Sequence, residues 1–136
     1  MGRIPDDAAP CGVFCGACPS YKISCLGCGS NNQKQKRKSK WGCKIRKCCF
    51  LDKDLNFCID CQEFPCHLLE KLKNSHPHDA RFNYRHEIYD NLKAIKEIGV
   101  KSWLNDQYDK FKCPKCNGPI VWYKYKCKNC GYQYSP

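Results

Sequence analysis

No stretch of this 136-residue chain approaches the roughly 20 consecutive apolar residues needed to cross a bilayer. Its first ten residues, MGRIPDDAAP, hold neither the apolar h-region nor the cleavage pattern of a secretory leader. Acids are scarce, with 13 Asp and Glu against 24 Lys and Arg. No acid–base pair stands out, nor any nucleophile with its activating base. These absences predict a cytoplasmic protein with no membrane contact, no catalytic residue and no evident small-molecule substrate. Any chemistry it performs is expected at metal.

Cysteine is abundant instead. Fifteen cysteines in 136 residues is the composition of a short chain stabilised by cross-links or metals rather than by a large core. Disulfides belong to oxidising compartments, so in a reducing cytosol the cysteines are expected to be ligands. Their spacing agrees, because five pairs are CxxC: Cys15/Cys18, Cys25/Cys28, Cys58/Cys61, Cys113/Cys116 and Cys127/Cys130. Two sulfurs three positions apart converge on one ion across a tight knuckle. The formal charge of +11 points to an anionic partner such as nucleic acid. A zinc held by four thiolates is a −2 centre, however, so three such centres would lower +11 to +5.

Composition divides the chain into a Cys-rich metal-binding domain (1–75), a helical segment packing on it (76–111) and a zinc ribbon (112–136). The predicted fold class is a small metal-stabilised α+β protein: an irregular zinc domain, a short helical segment and a C-terminal ribbon hairpin. Ile88, Leu92 and Ile95 fall at i, i+4 and i+7 of one helical face. Gly99 is placed to end that helix in the left-handed conformation. A second helix is expected to carry Trp103, Leu104, Tyr108 and Phe111. A shorter one near Cys66 would carry Leu68, Leu69 and Leu72.

The ribbon is the most specific signal. CPKC, ten residues and then CKNCGY nominate Cys113, Cys116, Cys127 and Cys130 as a tetrahedral all-cysteine site for one structural Zn2+, closed to water and substrate. Asn117 and Gly118, with Gly131, supply the backbone that knuckles need. If the linking segment is a strand, Lys124, Lys126 and Lys128 share a face with Trp122, a platform for bases and phosphates. In the competing reading Trp122 covers the ribbon core and the lysine stems lie along the surface. The run QKQKRKSK, with Lys34, Lys36, Arg37, Lys38 and Lys40, reads either as a solvated loop or as a nucleic-acid contact.

The remaining cysteines are Cys11, Cys15, Cys18, Cys25, Cys28, Cys43, Cys48, Cys49, Cys58, Cys61 and Cys66. The segments CPSY, CLGCGS, WGCKIRKCC, CIDC and FPCHLLEKL resemble a bacterial and archaeal family of cysteine-rich proteins of unknown function. Its members open with CGxxCxxCPxY and continue through CxIRxC to CxxCxxFPC. The resemblance implies zinc binding and brings no established activity. It also implies that Cys49 is the odd thiol out, since relatives commonly have another residue there. Two or more further zinc sites would then draw on the other ten. One partition joins Cys15/Cys18 to Cys25/Cys28 and Cys43/Cys48 to Cys58/Cys61, with Cys11 and Cys66 left over; interleaved pairing is equally allowed.

The spacing of Cys11, Cys15 and Cys18 also matches the cradle of radical-SAM iron–sulfur enzymes. The chain is too short for their barrel, which leaves an iron–sulfur cluster as an alternative cofactor. His67, His76, His78 and His86 are expected to be surface or packing residues. The functional expectation is a non-catalytic multi-zinc protein docking on RNA or a ribonucleoprotein such as the ribosome. A protein-interaction adaptor and an iron–sulfur redox protein are the alternatives.

Overall fold

The computed structural model of the protein describes residues 3–32, 34–36 and 38–134. Up to residue 66 it consists largely of turns, with 3-10 turns at Cys15–Ala17, Ser39–Gly42 and Cys58–Asp60. Helix α1 (Lys44–Lys47) runs directly into a π-helical turn at Cys48–Asp52. Helices α2 (His67–Lys73), α3 (Asn83–His86), α4 (Ile88–Ile98) and α5 (Val100–Lys110) follow. Strands β1 (Ile120–Val121) and β2 (Lys126–Cys127) close the chain as an antiparallel pair, with Ile120 opposite Cys127 and Val121 opposite Lys126. This is the small α+β architecture expected from the sequence.

The helical periodicity acts as read. Ile88 and Leu92 are fully buried and Ile95 nearly so, which makes one face of α4 its packing face. The amide of Gly99 donates to the carbonyl of Ile95 at 2.9 Å. Its backbone differs from the expected left-handed helical cap, with φ 88° and ψ 155°. That region is open essentially to glycine alone, and it turns the chain straight into α5. On α5, Trp103 and Leu104 are buried as expected, whereas Tyr108 is 46 % exposed. Leu69 of α2 is fully buried, and Leu68 and Leu72 are half-buried.

Phe14 occupies the centre of the aromatic core. Its ring lies edge-on to Trp103 and Trp122 at 6.1 Å, edge-on to Tyr108 at 4.9 Å, and stacked with Phe111 at 6.1 Å. Burying one such side chain contributes about 1.5–3 kcal/mol, so this residue fastens α5 and the hairpin to the N-terminal loops. Backbone hydrogen bonds reinforce the join: Trp122 N–H to Ala17 O and Cys58 N–H to Pro10 O, both at 2.9 Å. Asn91 Nδ2 also donates to Gly12 O at 2.9 Å. Gly12 has φ 92°, and a Cβ there would sit 2.7 Å from the carbonyl oxygen of Ile88. Only glycine lets the loop after Cys11 approach α4 this closely.

The hairpin corrects one expectation. Residues 122–125 form a turn between the strands, with Tyr123 and Tyr125 at φ 69° and 52°. The period-2 alternation of lysine and aromatic residues therefore does not lie along a strand. Trp122 is 4 % exposed and stacks on Tyr84 at 4.3 Å with the rings 8° apart. It belongs to the core and offers no free face to a base.

Candidate metal centre

Cys113, Cys116, Cys127 and Cys130 converge at the end of the hairpin, their sulfurs all within 4.8 Å of one another. Cys113 and Cys130 stand 3.6 Å apart, and Cys116 and Cys127 3.4 Å. A tetrahedron with metal–sulfur bonds of about 2.3 Å separates its sulfurs by about 3.8 Å, so the cluster already has nearly the dimensions of a filled cage. Each knuckle turns through a residue of positive φ after its second sulfur, Asn117 at 64° and Gly131 at 79°. The turns aim amides back at sulfur: Lys115 N–H donates to Cys113 Sγ at 3.4 Å, and Cys130 N–H to Cys127 Sγ at 3.5 Å.

These donors act on charge. The Cys130 amide, followed by Asn129 and the neighbouring thiols, brings the Cys127 thiol down to about 6. At Cys116 the Gly118 amide favours the thiolate, but hydrogen bonds with Cys127, Cys130 and Cys113 outweigh it and push the thiol up to about 12. A sulfur drawn down beside one pushed up is a site that gains from a cation. Cys113 and Cys127 are buried while Cys116 and Cys130 are exposed, so an ion has a direct way in. The cluster can hold a metal ion, and its four sulfurs are the set expected from the sequence.

Among the described residues, no other group of three or more His, Cys, Asp or Glu ligand atoms closes to within 4.8 Å. The N-terminal cysteines nevertheless gather into two neighbourhoods. In the first, Cys28 N–H donates to Cys15 Sγ at 3.4 Å and the two thiols share a hydrogen bond. Cys11 lies beside them, its thiol pushed up by burial, then by the nearby Cys28 and Cys43 sulfurs. In the second, Cys48, Cys58, Cys61 and Cys66, with Cys49, line a cavity of about 20 Å³. Burial raises Cys48, with Cys61 and Cys66 adding to it.

This grouping keeps Cys15 with Cys28 and Cys48 with Cys58 and Cys61, as in the partition expected above. Cys43 and Cys48 flank the two ends of α1; the Cys43 sulfur acts on Cys11, and Cys61 and Cys66 act on Cys48. Cys66 joins Cys48 and Cys61, and Cys11 joins Cys28. Cys18 lies instead in the wall of a surface groove. Cys49, the thiol expected to be left over, lies beside Cys58. It is buried, its thiol lowered by a hydrogen bond from Cys58, while the same bond, then burial, raises Cys58. Of the histidines, His86 Nε2 lies 3.0 Å from Ser75 O and His76 stacks on Phe82 at 4.2 Å. His67 and His78 are exposed.

The basic candidates also separate. Lys34, Lys36 and Lys38 are exposed, and Arg37 lies outside the described residues. Lys40 is only 5 % exposed and donates to Gly27 O at 2.7 Å and Ser30 O at 3.0 Å, so it is not a surface contact. Lys124, Lys126 and Lys128 are exposed. They border a groove of about 560 Å³ between the hairpin and the loop after Cys18, joined by Lys22, Tyr21 and Tyr123. Among the described residues, no Asp or Glu lines this groove. Lys22 sits 5.6 Å over the Tyr21 ring, a contribution the sequence reading missed because Lys22 is remote from the hairpin in the chain.

Fold and site together define a cysteine-rich α+β protein with a metal-capable four-cysteine ribbon. Residues 19–71 match the model of a family described as a protein of unknown function (DUF3795), which supports the resemblance drawn from the motifs. The ribbon lies outside the matched segment. No curated protein and no solved structure matches the chain. Among the described residues, no helix is long and apolar enough to cross a membrane.

Proposed function

We propose that this is a non-catalytic, multi-zinc protein whose metal centres hold a basic groove that docks on RNA, free or within a ribonucleoprotein such as the ribosome. The groove between the hairpin and the loop after Cys18 carries this reading. Lys22, Lys124, Lys126 and Lys128 bring four positive charges to a concavity lined, among the described residues, by no Asp or Glu. Tyr123, 41 % exposed, and Tyr21 add aromatic faces. Bases stack on such rings while ammonium groups neutralise phosphate, a combination that suits a single strand. Zinc fits the ribbon because a d10 ion accepts four thiolates in a tetrahedron without redox chemistry. With the coordination shell full, nothing remains there for substrate or water, hence the non-catalytic reading.

A fluorescence-anisotropy titration of single-stranded RNA across a salt series tests it. Each lysine–phosphate contact adds about 0.7 to the slope of log affinity against log salt. Replacing Lys124, Lys126 and Lys128 with Ser is expected to lower that slope by about 2. Replacing Lys34, Lys36 and Lys38 is expected to change it less. No binding by the wild type at low salt would sink the proposal.

A further inference from the structure

Ile23, Tyr108 and Tyr123 are large side chains left in water, 65 %, 46 % and 41 % exposed. They come from an N-terminal turn, from α5 and from the hairpin turn, yet all three line the groove that Lys22, Lys124, Lys126 and Lys128 border. Single apolar residues scattered over a surface are ordinary, whereas several gathered in one concavity mark a binding site. An ammonium rim alone would serve any polyanion. The apolar patch calls for a ligand with a flat, uncharged part beside its charged one. At about 560 Å³ the groove falls within the range of small-ligand sites, about 300–1,000 Å³, which is room for a base and its sugar.

The patch is held in place before any ligand arrives. Tyr108 stands edge-on to Phe14 at 4.9 Å, and its hydroxyl donates to Asp7 Oδ2 at 2.6 Å. The Tyr123 ring lies 5.9 Å from Phe82 and 6.0 Å from Tyr84. Ile23 sits in a turn closed by its own N–H to Ser20 O at 3.1 Å and by Lys22 N–H to Cys25 O at 2.7 Å. Surfaces fixed in this way lose little freedom on binding. The Asp7 carboxylate also sorts the ligand. It disfavours a phosphate beside Tyr108 and leaves that part of the groove to the uncharged part.

We propose that the groove seats an unpaired nucleobase, with Ile23, Tyr108 and Tyr123 against the base and the lysines on the phosphates beside it. This rests on the RNA reading above and narrows it from RNA in general to places where a base is free: a single strand, a loop or a bulge. In a duplex each base is covered on both faces by its neighbours, and only phosphates, sugars and base edges remain to be touched. The apolar patch then stays in water and the lysines act alone. Every base has a flat face, so stacking tolerates any sequence. The discrimination is between unpaired and paired, not between one base and another.

The test is fluorescence anisotropy on the full chain with its metal, against four RNA probes: a single strand, its blunt duplex, that duplex with a single-base bulge, and the same bulge lacking its base. The single strand and the bulged duplex are expected to bind about 5- to 100-fold more tightly than the blunt duplex, which is the worth of one stacked base. Ile23→Ser, at an exposed position, should remove much of that preference. Tyr123→Asn should do the same with a residue that tolerates the positive φ of this position. In both variants the salt slope for a given probe should stay at the wild-type value, because no lysine–phosphate contact is lost. Equal affinity for the blunt and bulged duplexes, or a bulge that binds as well without its base, would overturn the base seat and leave the RNA reading standing. Failure of every probe to bind at low salt would overturn both. The comparison of probes uses the wild-type protein alone, so it decides even where a variant fails to fold.

Discussion

The backbone N–H of Trp122 donates to the carbonyl oxygen of Ala17 across 2.9 Å, so the ribbon hairpin is fastened to the turn between Cys15 and Cys18. A two-stranded hairpin this short has no stability of its own in water. Metal binding at its end and this attachment must therefore support each other. The groove proposed for RNA lies across the same junction, with Cys18 on one wall and Lys126 on the other.

Cys116→Ser tests that coupling with little packing cost, because Cys116 is exposed. One metal ion per chain should be lost. Amide hydrogen exchange should accelerate at Trp122 and in the turn at residues 15–18, while α4, joined to the Gly12 loop through Asn91, keeps its protection. Exchange confined to the ribbon would mean that the two parts are energetically separate.

Trp122 is the second lever. Truncating a buried aromatic to alanine costs about 3–5 kcal/mol, and Trp122 touches Tyr84, Phe14 and Phe111. Trp122→Ala should therefore lower the urea midpoint of the metal-loaded protein sharply. Trp122→Phe, which keeps a ring in the stack, should cost less and leave RNA affinity unchanged. A loss of affinity in Trp122→Phe without loss of stability would return Trp122 to the binding surface.

The difference between legible and illegible residues follows from range. The ribbon ligands could be read because a CxxC knuckle is a local object whose second-sulfur turn needs only Asn117 or Gly131 beside it. The buried face of α4 could be read because its period is intrinsic to the helix. Trp122 could not, since which way it points depends on Tyr84 and Phe14, both distant in sequence. Lys40 was hidden for the opposite reason. It belongs to a run whose Lys34, Lys36 and Lys38 are exposed, and only the fold of the Cys25–Cys28 loop around it shows that it is enclosed.

Glycine substitutions should rank by backbone and contact together. Gly27→Ala places a Cβ against Asp6 at a positive φ, whereas at Gly42 a Cβ would meet nothing within 4 Å. Strain of the first kind costs about 1–3 kcal/mol before the clash is counted, while a surface change stays within about 0.5 kcal/mol. Gly27→Ala should thus be destabilised and Gly42→Ala near wild type in thermal unfolding. Equal midpoints would show that the Cys28 loop is not held against the N-terminal segment.

Five sulfurs line the small cavity beside α2, one more than a tetrahedral cage can use. Cys49 is the one already engaged otherwise, its Sγ 3.4 Å from the carbonyl oxygen of Leu55. That contact fixes its thiol within the turn that follows α1. Cys48, Cys58, Cys61 and Cys66 are left to face the cavity together. Cys49→Ala is therefore expected to keep the wild-type number of metal ions by native mass, with a stability loss of about 1 kcal/mol from the vacated volume. Cys61→Ser, at a half-buried position with little packing to lose, should drop one ion. If Cys49→Ala drops the ion and Cys58→Ala keeps it, the two neighbours exchange roles, and Cys49, whose thiol the hydrogen bond from Cys58 lowers, is the ligand.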